Sequence, residues 1–464
     1  MKPYLLVDFG STYTKITCVD LEREYIVGSS KATTTVETNV LDGYDKAYNR
    51  LIRDHPEIKE EEISGISACS SAAGGLKMAA IGLVEELTVE AAKRACLGAG
   101  AIVNLVFSHH MTKREVKTLL ETDIDIILLA GGTDGGNKEC ILHNAKRLRE
   151  SKIDVPIIVA GNKDATDEID DIFEDSGMEY YIVANVMPQL KKLDVKETKD
   201  RIRRIFIEKI IEAKGIKKAE EKMDEIIMPT PEAVLLAAEL LSQGFEDEEG
   251  YGELMVIDIG GATTDVHTIG EGFPKRTEVI MKGLQEPFAK RTVEGDLGMR
   301  YSANALLHLV SNYEFKKYFA EDDKCDHNIE KSLQRRKNDV DFIPQTKDEE
   351  EFDKAIAKIC CDVSMSRHVG HVEVVHTPLG DMFYQTGKDL SDIKYVIGTG
   401  GVLISNSDAK IILKQVNKKS NRLLELRPNN PSYLIDKSYI LSAMGLLSQK
   451  HPKLALKLMK QYLL

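Results

Sequence analysis

The sequence has no CxxC pair, no apolar run approaching 18 residues and no excess of basic charge, and each absence closes a class of explanation. Its seven cysteines are odd in number and scattered over 464 residues. That pattern supplies neither a disulfide framework nor paired metal ligands, so a reduced cytoplasmic protein is expected. Without a long apolar stretch, no membrane-spanning helix is expected. The first residues, Met1-Lys2-Pro3-Tyr4, lead directly into a strand-like run and lack the three regions of a secretory signal. Lys plus Arg is 62 against 75 for Asp plus Glu, a net charge of −13. A nucleic-acid binder would show a basic balance or stripe, so none is expected as partner. Hydrophobic residues make up 42 % of the chain, enough for ordinary packed cores. The length predicts about two to four structural units. There is no repeat of fixed period and no low-complexity linker.

What is present is a change of pattern along the chain. Tyr4 to Val7 and Ile16 to Val19 are short apolar runs flanking a turn, and Tyr25 to Val27 reads as a third strand. From about residue 63 the pattern becomes α/β. Ile63 to Cys69 is strand-like, and Ile124 to Ala130 and Val155 to Ala160 are continuous apolar runs; each ends in a small-residue or glycine-rich turn, with helical stretches between. Such runs suggest parallel strands buried on both faces. Residues 190 to 225 and 313 to 358 are dense in charge and predict solvated, exposed helices. Residues 231 to 242 predict a buried helix, Glu253 to Ile259 a strand, and Val266 to Thr268 the second arm of a hairpin.

Three glycine-rich turns carry the chemistry. In VDFGSTYTK, residues 7 to 15, Asp8 closes a strand, Gly10 follows, and Ser11 and Thr12 fill the turn. Glycine lets backbone approach a phosphate, and successive N–H groups in such a turn form an anion-binding concavity. An Asp at the strand end suits Mg²⁺ held through water. VIDIGGATTD, residues 256 to 265, repeats the form with Asp258, Gly260, Gly261, Thr263 and Thr264. The recurrence about 250 residues on suggests a duplicated architecture whose two hairpins grip phosphates from opposite sides. VIGTGGVL, residues 396 to 403, places Gly398, Gly400 and Gly401 between a strand and a helix, where a base or ribose can lie flat on backbone. One such turn alone is most often a plain strand–helix connection.

The ordered trio resembles the actin-like ATPase superfamily of actin, Hsp70 and the sugar kinases, over residues 4 to about 447. The resemblance implies an α/β, two-lobed fold of duplicated RNase H-like domains. The first lobe would span 1–225 with an inserted α/β unit at about 95–225. The second would span 226–464 with a charged helical insertion at about 305–360. It also implies ATP and Mg²⁺ as cofactors. Asp8 and Asp258 would position the metal and the attacking water, and Asp265 would reach the metal through water. Gly10, Ser11, Thr12, Gly260, Gly261, Thr263 and Thr264 would cradle the phosphates, and Gly398, Gly400 and Gly401 would bound the adenosine pocket. Lys15 would either touch a phosphate or point to solvent. Residues 231 to 242 and Ser442-Ala443-Met444-Gly445 would be the two connecting helices. Chaperone-type members carry a Glu before the Pro of the first of these; here Met228 stands there and Glu232 is the candidate base one turn later. Losing a placed base costs about 10²–10⁴ in rate, so a slow ATPase acting as a switch is expected.

A narrower resemblance is to the MutL-type (GlmL) accessory, reactivating proteins of adenosylcobalamin-dependent glutamate mutase. It rests on VDFGSTYTKIT, on ILLAGGTDGGN and on EPFAKRTVEGDLGMR at 286 to 300. It implies mutase subunits as partners and ATP-driven release of damaged cobalamin. The rivals are a small-molecule kinase of the same superfamily and a non-catalytic nucleotide-binding scaffold. The absence of paired cysteines argues against the iron–sulfur dehydratase activators that share the fold. Other features read as structural: Gly131 to Gly136 as a strand–helix turn, Asp296 as an N-cap to a helix, His368, His371 and His376 without a zinc spacing, and Cys360-Cys361 buried in a helix.

Overall fold

The structure is a computed structural model that describes residues 1–10, 13–34, 40–71, 76–213, 225–319, 328–378 and 380–463. The chain opens with three antiparallel strands, β1 (Pro3–Phe9), β2 (Tyr13–Asp20) and β3 (Tyr25–Thr33), followed by the helix Val40–Asp54 and β4 (Ile66–Ser70). Five strands then form a separate sheet: β5 (Lys77–Gly82), β6 (Ile102–Ser108), β7 (Ile126–Leu129), β8 (Ile157–Val159) and β9 (Tyr180–Ile182). The chain returns through the helix Lys196–Ala213 to β10 (Glu225–Pro229), which completes the first sheet in the order β3-β2-β1-β4-β10.

The second half repeats this plan. The helix Thr230–Gln243 and a short hairpin, β11 (Gly244–Phe245) with β12 (Glu248–Glu249), lead to β13 (Leu254–Ile259) and β14 (Thr264–Ile269). After β15 (Val279–Met281) come β16 (Ala289–Glu294), the hairpin β17 (His371–Thr377) with β18 (Gly380–Thr386), then β19 (Tyr395–Thr399) and β20 (Ser432–Ile435). The main sheet runs β16-β14-β13-β19-β20. Position for position this is the order of the first sheet, with the same antiparallel hairpin pairings and the same two parallel additions. Two copies of one sheet plan, joined by helices, make the actin-like ATPase fold.

The inserted sheet is parallel throughout, in the order β6-β5-β7-β8-β9. Its continuous apolar runs have the expected cause. Along β7, Ile126 and Leu128 enter one core while Ile127 and Leu129 enter the other, so both faces are covered.

A third core joins the lobes. Tyr4 and Leu6 of β1, Leu254 and Val256 of β13, and the apolar faces of the helices Thr230–Gln243, Leu441–Ser448 and Pro452–Tyr462 pack together. The first two helices cross at Gly445, where a Cβ would stand 2.5 Å from the Ala233 carbonyl carbon and 2.9 Å from its Cα. Only glycine permits this backbone-to-backbone approach.

Two charged stretches differ from expectation. Of the exposed helix pair expected over 190–225, the described residues include one helix, Lys196–Ala213, which is not wholly solvated but buries Ile202, Ile205 and Phe206. Residues 214–224 lie outside the described residues. Within 313–358, the helix Lys347–His368 has an acidic first turn, yet Phe352, Ile356, Ile359, Cys360 and Cys361 are central to the second lobe's core. An i, i+4, i+7 apolar stripe outweighs the average polarity of such a segment. Among the described residues no helix is long and apolar enough to cross a membrane.

Candidate functional site

Asp8 is the last residue but one of β1 and is 5 % exposed. Thr230 Oγ1 donates to its Oδ1 at 2.7 Å and Ser442 Oγ to its Oδ2 at 3.1 Å. Each hydroxyl stands in the first turn of one of the two helices that cross at Gly445, so this carboxylate ties the first sheet to both. The Cys69 thiol, 3.6 Å from Asp8 Oδ1, is pushed well up by burial and by that carboxylate. After Asp8 the chain turns at Gly10, whose N–H donates to Tyr13 O at 3.1 Å. A Cβ at Gly10 would sit 2.6 Å from that oxygen. Ser11 and Thr12 lie outside the described residues.

The second hairpin repeats the geometry. Gly260 N–H donates to Thr263 O at 2.9 Å. Its carbonyls are turned inward: Met299 N–H donates to Gly260 O at 3.0 Å, and Arg300 and Tyr301 N–H donate to Gly261 O at 2.8 and 3.0 Å. In a trans peptide the following N–H points the opposite way, so the Gly261 and Ala262 amides face away from that backing. Thr264 Oγ1 donates to Leu297 O and Ser302 Oγ to Ala262 O. Thus 297 to 302 braces the turn from behind. Asp296 does not cap a helix, contrary to the sequence expectation, because no helix opens directly after it. Arg367 holds it through two hydrogen bonds of 2.7 and 2.8 Å.

The third turn touches the second directly. β13 and β19 are parallel neighbours with Asp258 opposite Thr399. Gly400 has φ +95°, and a Cβ there would lie 2.7 Å from Asp258 Oδ1 and 2.9 Å from the Ile259 carbonyl carbon. Gly401 opens the helix Gly401–Ser405. Gly398 is turned to the core instead, against Leu403 and Leu413.

The two hairpins match in register. Asp8 pairs across its hairpin with Lys15, and Asp258 with Asp265. Lys15 does not point to solvent: its Nζ lies 3.0 Å from the centre of the Tyr439 ring, a residue held at φ +52°. Burial lowers its pKa, opposed by the charges of Asp8, Asp258 and Asp436. Asp258 is pushed up to about 7 by burial and by Asp265, with Lys15 acting against them. Asp265 accepts from Arg291 Nε at 2.8 Å and from Thr263 Oγ1 at 3.2 Å.

Asp436 was not foreseen. It is buried, accepts from the N–H groups of Ile440 and Leu441 at 2.9 and 3.1 Å and from Thr399 Oγ1 at 3.2 Å, and burial raises its pKa. An acidic residue shortly before an apolar helix was the available signal. Thr230 and Ser442 were missed as well, although a hydroxyl opening each helix was visible. Glu232 is buried, and both its oxygens are taken by Arg203, Oε2 by Nε at 3.2 Å and Oε1 by Nη2. His368 is a core residue that bonds the hydroxyls of Thr268 and Thr292.

The site therefore gathers the carboxylates of Asp8, Asp258, Asp265 and Asp436 and one ammonium, Lys15, around two glycine turns. Oxygen donors of this kind suit a hard divalent cation. Among the described residues no three His, Cys, Asp or Glu side chains are close enough to cage a metal by themselves. The donor set thus fits an ion that arrives with oxygen ligands of its own and is held here through water.

Comparison with known proteins finds matches along nearly the whole chain. A protein of Clostridium tetanomorphum, "Protein MutL", is 50 % identical over 465 residues, covering 100 % of this chain and 99 % of its own. Among solved structures, nucleotide-free acetone carboxylase aligns at TM-score 0.40 and 13 % identity, over 96 % of this chain and 70 % of its own. The diol dehydratase-reactivating factor in nucleotide-free form aligns at TM-score 0.36 and 11 % identity, over 97 % and 100 %. The model of the family described as MutL protein matches residues 4–463. With that match running almost from end to end, and half of all positions shared with the clostridial relative, the chain belongs to the MutL protein family.

Proposed function

We propose that this protein is an ATP-dependent reactivating factor for an adenosylcobalamin-dependent glutamate (methylaspartate) mutase. Hydrolysis of ATP would drive release of damaged cobalamin so that intact cofactor can enter. The observation that carries the nucleotide part is the pair of register-matched hairpins. Asp8 and Asp258 stand at equivalent positions of two sheets, with Lys15 between them. Bound Mg²⁺ would neutralise phosphate charge and orient water. Asp8 and Asp258 would hold that hydrated ion, the outward amides of Gly261 and Ala262 would take phosphate oxygens, Gly10 and Gly260 would let the two turns approach closely, and Lys15 would meet an anionic oxygen. Gly400 and Gly401 would border the adenosine. Glu232, bound by Arg203, would have to leave that partner to act as base, which supports slow turnover.

The mutase part rests on membership of the MutL protein family and on the segment 286–300, which braces the second phosphate turn. Closing and opening of the lobes around nucleotide would bias the partner between two states. The test mixes the protein with cyanocobalamin-inactivated glutamate mutase, ATP and adenosylcobalamin. Return of mutase activity that requires all components is expected. No return would sink the reactivase reading and leave the nucleotide site standing.

A further inference from the structure

Segment 286–300 also carries an arginine that touches both halves of the molecule. Arg291 lies in β16, beside β14. Its Nε donates to Asp265 Oδ1 at 2.8 Å, and its Nη2 lies 2.6 Å from the same oxygen. Its Nη1 reaches the other way, to Leu97 O at 3.1 Å and Ala101 O at 2.9 Å. Leu97 is in the last turn of the helix Glu90–Gly98, and Ala101 immediately precedes β6. Both connect strands of the inserted sheet. Arg291 and Asp265 are 5 % and 7 % exposed. A guanidinium that is so buried must keep its donors engaged. Here a carboxylate holds one arm, and the negative end of a helix dipole holds the other.

The surroundings are of the same kind. Arg94, in the middle of that helix, donates to Gln285 O at 2.6 Å and pairs with Glu286 at 3.3 Å. Glu286 pairs in turn with Lys290 at 2.9 Å, and Lys290 donates to His368 O. Leu284 packs in the apolar core that also holds Ala91, Ala92 and Ala95 of the helix, and from Gln285 to Arg291 the helix is seated by hydrogen bonds and ion pairs. Such contacts exchange partners over short displacements, whereas an interlocked apolar core does not.

We propose that Arg291 is a positioning residue that couples occupation of the second phosphate turn to the seating of the inserted α/β unit on the second lobe. The coupling follows from sharing. Asp265 serves both the turn, through Thr263, and Arg291. A nucleotide-borne cation that draws on Asp265 loosens its hold on the guanidinium. The same guanidinium grips the two carbonyls, so the helix Glu90–Gly98 answers to what occupies the turn. Linkage makes the effect reciprocal: a partner that moves the inserted unit alters nucleotide affinity.

This inference rests on the nucleotide reading above, and its test separates the two. Hydrogen exchange of the full-length protein is followed by mass spectrometry over residues 90 to 108, with and without a non-hydrolysable ATP analogue and Mg²⁺. Binding is measured in parallel by calorimetry. In the wild type the analogue should change exchange there by about tenfold, within the usual range of coupling between sites. Arg291→Lys keeps a charge beside Asp265 but has no planar second arm for the carbonyls. In Arg291→Lys and in Arg291→Met the change should fall below about twofold, with analogue affinity within about threefold of wild type. A merely structural arginine would raise exchange equally with and without nucleotide and leave the difference at its wild-type size; that result overturns the relay. So would a full response in Arg291→Lys, or a wild type that binds the analogue without any change over 90 to 108. Loss of binding in both variants would place Arg291 in the nucleotide site and also reject the relay. Failure of the wild type to bind analogue would instead reject the nucleotide reading itself.

Discussion

Replacing Gly445 by Ala places two known effects in opposition. In a helix interior, Gly→Ala ordinarily stabilises by about 1 kcal/mol through helix propensity. At this crossing the new methyl would lie 2.5 Å from the carbonyl carbon and 2.9 Å from the Cα of Ala233, where ordinary contact begins at 3.4 Å. The opposing atoms are backbone of a second helix, so no rotamer change relieves them. The Ala233 carbonyl oxygen is nearer still, so the two helices must separate by well over 1 Å, at an overpacking cost of about 3 kcal/mol, the top of the usual range. The clash wins by roughly 2 kcal/mol, which should lower the midpoint of thermal unfolding by about 2 °C for a 464-residue chain that unfolds as one unit. Gly295, with nothing within 4 Å of its would-be Cβ, is the matched control, and Gly295→Ala should stay near wild type. Calorimetric scans of the three proteins make the comparison. The crossing also fixes Thr230 and Ser442 on either side of Asp8, so the same variant should lose turnover beyond its loss of stability. An unchanged or raised midpoint for Gly445→Ala would refute the reasoning, because the helix pair would then have slack that the geometry denies.

Asp8→Ala and Asp258→Ala should each abolish the slow basal ATPase; wild-type turnover in both would remove the site assignment. Glu232→Gln strands the partly buried Arg203 without its carboxylate, and should cost about 1–3 kcal/mol in denaturant melts while changing turnover less than tenfold. A fall beyond about 100-fold at unchanged stability would instead mark Glu232 as the working base. Asp362 is buried on the helix Lys347–His368; burial alone would raise its pKa, but Lys419 at 2.7 Å, Tyr318 and Arg427 at 2.8 Å hold it below the usual carboxylate range. A depressed pKa means that its stabilisation is full above the unfolded value of about 3.9 and is lost as pH falls through the lower folded value. Asp362→Asn should therefore cost about 3–5 kcal/mol near pH 7, with the gap to wild type closing only below about pH 4. A gap independent of pH down to 3 would contradict this.

The sequence exposed whatever depends on neighbours along the chain. The strand–Asp–Gly–hydroxyl pattern located both hairpins, because a turn's conformation is decided by four or five adjacent residues. Continuous apolar runs located the parallel strands of the inserted sheet, since burial on both faces removes alternation. What stayed hidden depends on distance. Asp8 meets Thr230 across 222 positions and Ser442 across 434, and no local signal couples them. The grip of Arg203 on Glu232 and of Arg291 on Leu97 O is of the same kind. In the helix Lys347–His368 the all-charged start, Lys347 to Glu351, masks an apolar second half. Asp436 was hidden for another reason: its hydrogen-bond partners are four and five residues on, just beyond the reach of a standard N-cap.

The matched registers of the two hairpins have one more consequence. The backbone of the cleft is close to a dyad: rotate one lobe onto the other and Asp8 takes the place of Asp258, Gly10 that of Gly260. The side chains differ at several positions, and in charge at one cross-strand pair. Opposite its strand aspartate the first hairpin presents Lys15, and the second presents Asp265. A symmetric groove would accept a linear, two-ended ligand in either direction with equal energy. This cleft is not symmetric in charge, because one hairpin presents an Asp–Lys pair and the other an Asp–Asp pair. One hairpin plan is used twice, and the difference in charge at this cross-strand pair makes the two sides of the cleft unequal.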